Sequence, residues 1–191
     1  MGYKIEGIDF DKNVIKRLKK FDSKLKISVQ NVESTLYKSN SLDVCISLGV
    51  IEHFEEGPEL ALTETFRILK PKGLMILTVP YNNVIRKIIY HPLRFVFTKY
   101  LIFKNREVYF AEYRFNKNEI ITQVKNAGFK IIAIEFDDYS IKTESLGLWA
   151  DWPPLRSSKP YKLNLFGRSL ASVVNLFPWL ATSGICIIAK K

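Results

Sequence analysis

The middle of the chain contains two short apolar segments separated by one helical pattern, and this arrangement limits the possible folds more than any other feature. The first segment, Leu42–Leu48, is mostly apolar and is followed by Gly49, as expected for a strand buried on both faces. The second, residues 74–79, ends at Pro80. Two buried strands joined by a covering helix form a βαβ crossover, so the sequence predicts an α/β fold with a mainly parallel sheet.

The connection between these two strands contains an acidic loop and then a helix. Apolar residues recur at helical spacing between Pro58 and Leu69, and the Lys-Pro-Lys-Gly sequence at 70–73 is expected to end the helix. The loop before the helix carries Glu52 and His53. In sheets of this kind ligands bind beyond the carboxyl ends of the strands, so the loop lies at the expected ligand-binding edge.

Residues 42–80 resemble the fourth and fifth strand region of class I S-adenosylmethionine-dependent methyltransferases of the UbiE/UbiG-like type, which contain the methyltransferase type 11 domain. The family pattern is a strand, a Leu-Glu-His turn, a helix ending in Arg-x-Leu-Lys-Pro-Gly-Gly and a strand ending in proline. Here the turn is Ile-Glu-His at 51–53, and the helix end at 67–73 has Lys72 in place of the first glycine. The resemblance implies a Rossmann-like sheet with an antiparallel last strand, and S-adenosylmethionine as the cofactor.

The resemblance also implies that an acid at the end of the second strand binds the ribose of the cofactor. Residues 3–10 have the pattern of that strand, and Asp9 and Phe10 occupy the matching cofactor-binding positions. A carboxylate at a strand end can accept hydrogen bonds from both ribose hydroxyls. From the residues alone, Asp9 is also suited to cap the helix expected at residues 11–20.

Four further residues are implied as cofactor contacts. Asn31 and Val32 follow the third strand, expected at residues 27–31, where the family places an acid and a small apolar residue beside the adenine. An asparagine can accept a hydrogen bond through its amide oxygen, but it is equally a common turn residue. Leu48 and Gly49, at the end of the fourth strand, complete the implied set.

The glycine-rich loop of the family, roughly Asp-x-Gly-x-Gly-x-Gly, would lie about twenty to thirty residues before Asp9. The sequence contains no Gly-x-Gly. We therefore expect the first strand, the first helix and the loop between them to be missing from this chain. Either the chain is N-terminally incomplete, or its second and fourth strands pair directly. In both cases we expect the isolated chain to bind the cofactor more weakly than micromolar.

A segment rich in aromatic and basic residues follows the fifth strand. In the family, insertions here cover the active site as a lid and select the substrate, which implies such a role for residues 81–115. The composition suits an apolar or lipid-like acceptor with an anionic group, or contact with a membrane surface, and nucleic acid is the less favoured partner. The alternative is a helical extension with its own small core. A short amphipathic helix around Ile85, Ile88 and Ile89 is expected to end before Pro92.

His53 is the candidate catalytic residue by its type and location. A general base assists methyl transfer when the acceptor is a hydroxyl or an amine. The alternative is a loop histidine that holds the turn through Glu52 or a backbone group. The metal-assisted members of the family have two carboxylates before this histidine, but Gly49 occupies the first of those positions, so we expect no metal site.

The remaining sequence predicts a single domain over residues 1–191. Asn116 and Glu119 have the spacing of a capping box at a helix start. Three more elements are expected: a strand at 129–136, a helix at 163–177, and a last strand at 185–189 that runs antiparallel between the fifth and sixth strands. The uncharged window 170–189 is long enough to span a bilayer, but its polar residues and proline favour a helix, a turn and a strand.

Composition indicates what kind of partner and what cellular location to expect. The net charge of +10 favours an anionic partner, although solvated lysines would give the same value. Cys45 and Cys186 lie in apolar runs and are expected to be small buried hydrophobic residues. No signal peptide is visible, so a cytoplasmic location is expected.

Two functions fit these observations. The first is S-adenosylmethionine-dependent methyl transfer to a small-molecule, lipid-like or glycan-type acceptor, in which positioning of the acceptor carries much of the rate. The second is a non-catalytic methyltransferase-like binding or scaffold protein that lacks the grip on the cofactor.

Overall fold

The computed structural model describes residues 2–110, 112–138 and 141–191, and it has a mixed α/β architecture. The strands are β1 (Gly7–Asp9), β2 (Ile27–Val29), β3 (Leu42–Leu48), β4 (Leu69–Pro80), β5 (Lys130–Asp137) and β6 (Gly184–Lys190). The helices are α1 (Lys12–Phe21), α2 (Glu59–Ile68), α3 (His91–Phe103), α4 (Lys117–Asn126), α5 (Leu146–Asp151) and α6 (Leu165–Val174).

The main sheet has four strands in the order β3-β4-β6-β5. β3 and β4 are parallel, while β6 is antiparallel to both β4 and β5. The predicted antiparallel last strand between the fifth and sixth strands is therefore confirmed. Alternate residues of β4 and β6 point into the main core, where Met75, Leu77, Val79, Ile185 and Ile187 are at most 2% exposed.

The predicted β3-α2-β4 crossover is confirmed, with two changes in its detail. α2 begins directly after Pro58 and buries Leu62, as its apolar spacing indicates. The second strand begins at Leu69 rather than at residue 74 and so contains the Lys-Pro-Lys-Gly sequence expected to follow the helix. Within it, Lys72 has a φ of +69°, the left-handed region that favours glycine. The glycine of the family pattern at this position is explained by that backbone conformation.

The prediction that the first of these strands is buried on both faces is wrong. Val44, Ile46 and Leu48 are 45%, 62% and 59% exposed. The other face of β3, with Cys45 and Ser47, is half-buried or buried. β3 is at the end of the main sheet, and one of its faces is covered by no helix in the described part of the chain. An edge position and an uncovered face together expose these side chains.

The N-terminal residues form a separate two-stranded unit. β1 and β2 pair in parallel and are joined by α1. Both strands are shorter than expected from residues 3–10 and 27–31, because backbone pairing extends over three residues only; Tyr3 and Ile5 are 94% and 77% exposed. In the described residues β1 pairs with β2 and not with β3.

A partly buried ion pair within α2 forms hydrogen bonds to the segment that follows β2. Glu64 Oε1 accepts hydrogen bonds from the backbone N–H and the hydroxyl of Thr35, at 2.7 and 2.6 Å. Arg67 donates to both oxygens of Glu64 at 2.7 Å, and to the Tyr37 carbonyl at 2.7 Å. Arg67 and Thr35 lower the pKa of the Glu64 carboxyl to about 2. The segment after β2 is therefore fixed to α2 by charge-assisted hydrogen bonds.

The segment after β4 is more helical than the sequence predicts. The helix expected to end before Pro92 continues to Phe103, with Pro92 in the first turn of α3. A π-helical turn, Arg86–Tyr90, precedes α3, and the His91 N–H donates to the Arg86 carbonyl. A proline is tolerated in a first turn because its missing N–H has no intrahelical partner there.

The C-terminal part of the chain contains a second, smaller core. Leu148, Leu155 and Leu163 pack with Ala171 and Ala181 between α5, α6 and the turns that connect them. α6 is shorter than the predicted helix at 163–177, and Asn164 caps it through the Gly167 N–H. No helix in the described ranges is long and apolar enough to cross a membrane.

The structure also bears on local predictions for the start of α4 and for the two cysteines. Asn116 and Glu119 form a capping box at the start of α4, and Gly128 follows that helix with a φ of +101°. Cys45 and Cys186 are both free thiols, but each is half-buried rather than fully buried. The connection between β5 and α6 contains α5; Tyr139 and Ser140 within this connection lie outside the described residues.

We expect Glu64→Gln to lower the free energy of unfolding at pH 7 by about 1–3 kcal/mol, because glutamine cannot form the charged pair with Arg67. The folded pKa of about 2 lies below the ordinary value of 4.5, so the carboxylate stabilises the fold fully above pH 4.5. That contribution disappears as the pH falls toward 2. Urea unfolding at pH 7 and near pH 2 measures the difference, which must shrink at the lower pH. Glu59→Gln on the exposed first turn of α2 is the control, with an expected change below about 0.5 kcal/mol.

We expect Lys72→Gly to raise the free energy of unfolding by about 0.5–1 kcal/mol, because glycine adopts a positive φ without the cost of a Cβ. Lys72→Ala removes the same charge but keeps the Cβ, and should bring no such gain. Urea unfolding at neutral pH compares the three proteins. Equal stability of the glycine and alanine variants would show that the backbone at Lys72 is not strained.

Candidate functional site

The parallel pairing of β1 and β2 brings two of the predicted cofactor residues to one edge. Asp9 is the last residue of β1 and is paired with Val29, the last residue of β2. The Gln30 N–H then donates to the Asp9 carbonyl at 3.0 Å, which places Asn31 one residue beyond this contact. Asp9 and Asn31 therefore lie at the carboxyl ends of adjacent parallel strands, as the sequence predicts.

Asp9 does not cap α1. The N-cap is Asp11, whose carboxylate accepts from the Asn13 N–H at 2.7 Å. Asp9 Oδ1 accepts from the Asp11 N–H at 2.8 Å, a contact that shapes the loop before the helix. The Asp9 carboxylate is half-buried and keeps further acceptor capacity beyond this one bond.

Asn31 forms the turn contact that its residue type favours. Its Oδ1 accepts from the Glu33 N–H at 3.0 Å, while its Nδ2 lies 3.5 Å from Glu33 Oε2. An amide oxygen has two lone pairs, so this turn does not exhaust its acceptor capacity. The neighbouring Val32 packs against the main core and fixes the start of the turn.

The other predicted cofactor residues lie at the end of β3 and beside Asp9. Phe10 and Leu48 are 80% and 59% exposed, so both present apolar surface to solvent. Gly49 has a φ of +64°, and its N–H donates to the Thr78 carbonyl of β4 at 3.1 Å. The structure thus groups the predicted residues in two sets, one in the N-terminal unit and one at the end of the main sheet.

The turn after Gly49 buries a carboxylate. Glu52 is 3% exposed, and a Cβ at Gly49 would lie 3.3 Å from Glu52 Oε1. Glu52 Oε2 has no hydrogen-bond partner among the described residues. Burial raises the pKa of the Glu52 carboxyl, and the nearby carboxylate of Glu112 acts in the same direction. A buried carboxyl oxygen without a partner is costly, and such groups occur where a protein binds a ligand or transfers a proton.

His53 lies next to this carboxylate. Its Nε2 is 3.9 Å from Glu52 Oε1, and its side chain is 57% exposed while that of Glu52 is 4% exposed. An accessible imidazole beside a carboxylate can accept a proton from a bound hydroxyl or amine.

The segment before α4 folds over the same turn. The Tyr113 N–H donates to the Glu52 carbonyl at 2.8 Å, and the Tyr113 hydroxyl donates to the Glu55 carbonyl at 2.9 Å. Part of the predicted lid, residues 81–115, is therefore in contact with the loop that holds Glu52 and His53.

A buried ion pair at the base of this segment was not predicted. Arg86 Nε donates to Asp151 Oδ2 at 2.5 Å, and both side chains are 4% exposed. Arg86 also donates to the carbonyls of Tyr81 and Ser183, at 2.7 and 3.0 Å. The two residues are 65 positions apart, and no local pattern in the sequence relates them. The pair fixes the start of the π-helical turn to α5.

The groups at the carboxyl ends of β1, β2 and β3 suit an adenosine. The Asp9 carboxylate can accept from two ribose hydroxyls, and the Asn31 amide can pair with an adenine. Phe10 and Leu48 offer apolar surface for a purine ring. The residues present therefore fit the adenosine part of S-adenosylmethionine. No group of three or more potential metal ligands occurs in the described ranges.

Comparison with known proteins bears on this arrangement. Residues 1–77 match the family described as a methyltransferase domain. The chain has the class I methyltransferase fold. The domain match indicates S-adenosylmethionine as the cofactor of this fold. A comparison with curated proteins finds no match to the chain.

Solved structures show the same methyltransferase fold over nearly the whole chain. An S-adenosylmethionine-dependent methyltransferase from Methanosarcina mazei is 16% identical, with 97% of this chain and 81% of that chain covered and a TM-score of 0.63. Geranyl diphosphate C-methyltransferase from Streptomyces coelicolor is 14% identical, with 97% and 64% covered and a TM-score of 0.56. A cyclase, SpnF, is 15% identical, with 98% and 66% covered and a TM-score of 0.54. At these identities the comparison establishes the fold and not the reaction.

We expect Glu52→Gln to raise the free energy of unfolding at pH 7. The folded pKa of Glu52 lies above the ordinary value of 4.5, so the ionised carboxylate destabilises the fold at every pH above the folded pKa. This cost disappears below pH 4.5, where the carboxyl is protonated in both states. Urea unfolding at pH 7 and pH 4 should therefore give a stabilised variant at the higher pH and little difference at the lower. A variant that is less stable at pH 7 would show that the carboxylate has a partner.

Proposed function

We propose that the chain binds S-adenosylmethionine along the carboxyl ends of β1, β2 and β3 and supports methyl transfer to a small-molecule or lipid-like acceptor. The observation that carries this proposal is the placement of Asp9 at the end of β1 and of Asn31 just beyond the end of the adjacent parallel strand β2, in the part of the chain that matches the methyltransferase domain. The half-buried Asp9 carboxylate has acceptor capacity left for a ribose.

Five of the predicted cofactor residues have a role in this proposal. Asp9 accepts hydrogen bonds from the ribose hydroxyls, and Asn31 accepts one from the exocyclic amine of the adenine. Phe10 and Leu48 cover the faces of the purine. Gly49 leaves the space beside Glu52 free of a Cβ, because its conformation and its 3.3 Å clearance both favour glycine.

The bound cofactor supplies a methyl group on a sulfonium, and its transfer is an in-line displacement in which positioning carries much of the rate. His53 accepts the proton of a hydroxyl or amine acceptor, since its imidazole is accessible. Glu52 Oε1 lies 3.9 Å from the imidazole Nε2. The segment 81–115 contacts the acceptor, because its Tyr113 is bound to the Glu52 loop.

Titration of the ¹⁵N-labelled chain with S-adenosylmethionine, followed by NMR, tests the proposal. We expect saturable shifts of backbone amides at β1, β2 and the Gly49 turn, with a dissociation constant above the micromolar range. Asp9→Asn keeps the turn contact to Asp11 but removes the charge. It should weaken binding by about 1–3 kcal/mol, or about 5–150-fold, because the ribose hydroxyls lose their charged acceptor.

The matched control is Asp22→Asn at the other end of α1. Asp22 Oδ1 accepts from the Lys24 N–H at 2.9 Å, so it makes the same kind of turn as Asp9. This variant should leave the binding unchanged. Equal effects of the two variants would remove Asp9 from the site, and a complete lack of binding by the unmodified chain would favour the non-catalytic scaffold instead.

A further inference from the structure

The helix that follows the π-helical turn is largely exposed, and only His91, Thr98 and Leu101 of it are half-buried. None of the residues of α3 is buried, although most of them are apolar. A helix that is apolar all round is normally buried in a core or a membrane. We call residues 84–106 the basic apolar segment; its exposed apolar side chains are Val84, Ile88, Ile89, Leu93, Phe95, Val96, Phe97, Tyr100, Ile102 and Phe103.

The charges of the basic apolar segment are all of one sign. The sequence contains no aspartate or glutamate between residues 65 and 106. Arg86 is paired internally with Asp151, which leaves five cations: Lys87, Arg94, Lys99, Lys104 and Arg106. In the described part of the chain, no carboxylate forms an ion pair with any of these five.

Two of these cations lie over exposed aromatic rings of the same helix. Lys99 Nζ is 5.4 Å from the centre of the Phe95 ring, and Lys104 Nζ is 5.9 Å from that of Tyr100. The rings and the charges therefore occupy the same surface. A surface of this kind gives apolar side chains to an acyl layer and ammonium groups to the adjacent head groups.

A second helix continues this pattern. The outer side of α6 and the turn after it expose Leu165, Phe166, Val173, Leu176 and Phe177, at 63–77%. Residues 152–191 also contain no aspartate or glutamate. Ile85, at the start of the basic apolar segment, and Val174 of α6 both pack against the same small core. The two exposed apolar elements therefore start from one anchoring cluster.

The start of the basic apolar segment is held by several side-chain contacts. The Arg86–Asp151 pair is buried, and Asn82 Oδ1 is 2.8 Å from His91 Nε2 at the start of α3. Arg114 lies over the Tyr90 ring, with its guanidinium carbon 4.5 Å from the ring centre. A helix held in this way is already formed before it meets a partner, so binding costs little ordering entropy.

We propose that the basic apolar segment and the outer side of α6 bind the surface of anionic lipid bilayers. Charge complementarity favours this partner. The proposed surface carries cations and no acidic side chains, and the cytoplasmic leaflet of cell membranes is anionic. A second copy of the chain would bring two surfaces of the same charge together. Nucleic acid binds aromatic side chains by stacking and cationic ones through its phosphates, but it offers no comparable partner for exposed aliphatic side chains such as Leu93, Val96 and Ile102. This inference does not depend on methyl transfer.

Sedimentation of the chain with lipid vesicles tests the proposal. We expect at least tenfold tighter binding to vesicles of phosphatidylcholine with phosphatidylserine than to phosphatidylcholine alone, and release when salt is raised to about 1 M. The variant Phe95→Ser/Phe97→Ser/Phe103→Ser should lose at least tenfold in affinity. Its fold should be intact by circular dichroism, because all three side chains are exposed.

Controls separate the proposed surface from general hydrophobicity and charge. Phe21→Ser/Leu36→Ser removes side chains that are 90% and 85% exposed elsewhere, and should bind as the unmodified chain does. Lys99→Glu/Lys104→Glu should weaken binding at least tenfold. Lys16→Glu/Lys20→Glu, on the basic helix α1, makes the same change in net charge and should have a much smaller effect.

Four results would overturn the proposal. Equal binding to both kinds of vesicle would remove the role of charge, and equal effects of the two charge-reversal variants would remove the role of α3. A dimer in sedimentation equilibrium that the triple serine variant dissociates, without vesicle binding, would assign the surface to a second copy. Binding of a polyuridine probe by the unmodified chain but not by the triple serine variant, again without vesicle binding, would assign the surface to nucleic acid.

Discussion

The two-sided pairing of β4 is the constraint on which the rest of the structure depends. β4 pairs in parallel with β3 on one edge and antiparallel with β6 on the other, so a strand from the middle of the chain and one from its end meet on it. Its Met75, Leu77 and Val79 form the centre of the main core. The Glu52 turn follows β3 and the basic apolar segment follows β4, so both begin at the carboxyl ends of this pair of strands.

Much of this arrangement could be predicted because its signals are local. The β3-α2-β4 crossover, the capping box of α4 and the antiparallel β6 follow from patterns within a few residues or from the family resemblance. The exposure of β3 could not be predicted, because an apolar sequence is the same whether the faces of the strand are covered by other elements or exposed to solvent. The continuation of the helix through Pro92 could not be predicted either, because the π-helical turn before it begins at Arg86, whose partner Asp151 is far along the chain.

The candidate site divides in the same way. Asp9 and Asn31 were expected at strand ends, and the pairing of β1 with β2 does bring them to one edge. The unpartnered oxygen of Glu52 depends on how residues 112–115 fold back over the turn, some 60 positions later, and the Arg86–Asp151 pair spans 65. Contacts between residues so far apart produce no periodic pattern in the sequence, since each partner taken alone is an ordinary charged residue.

The open side of β3 has a consequence for how the protein behaves at high concentration. An end strand with bare backbone donors and acceptors, and with Val44, Ile46 and Leu48 exposed, is a template for intermolecular strand addition. The net charge of +10 opposes this association, because like-charged molecules repel one another. Colloidal stability therefore depends on long-range repulsion, which added electrolyte weakens. Self-association is accordingly lowest in buffers of low ionic strength.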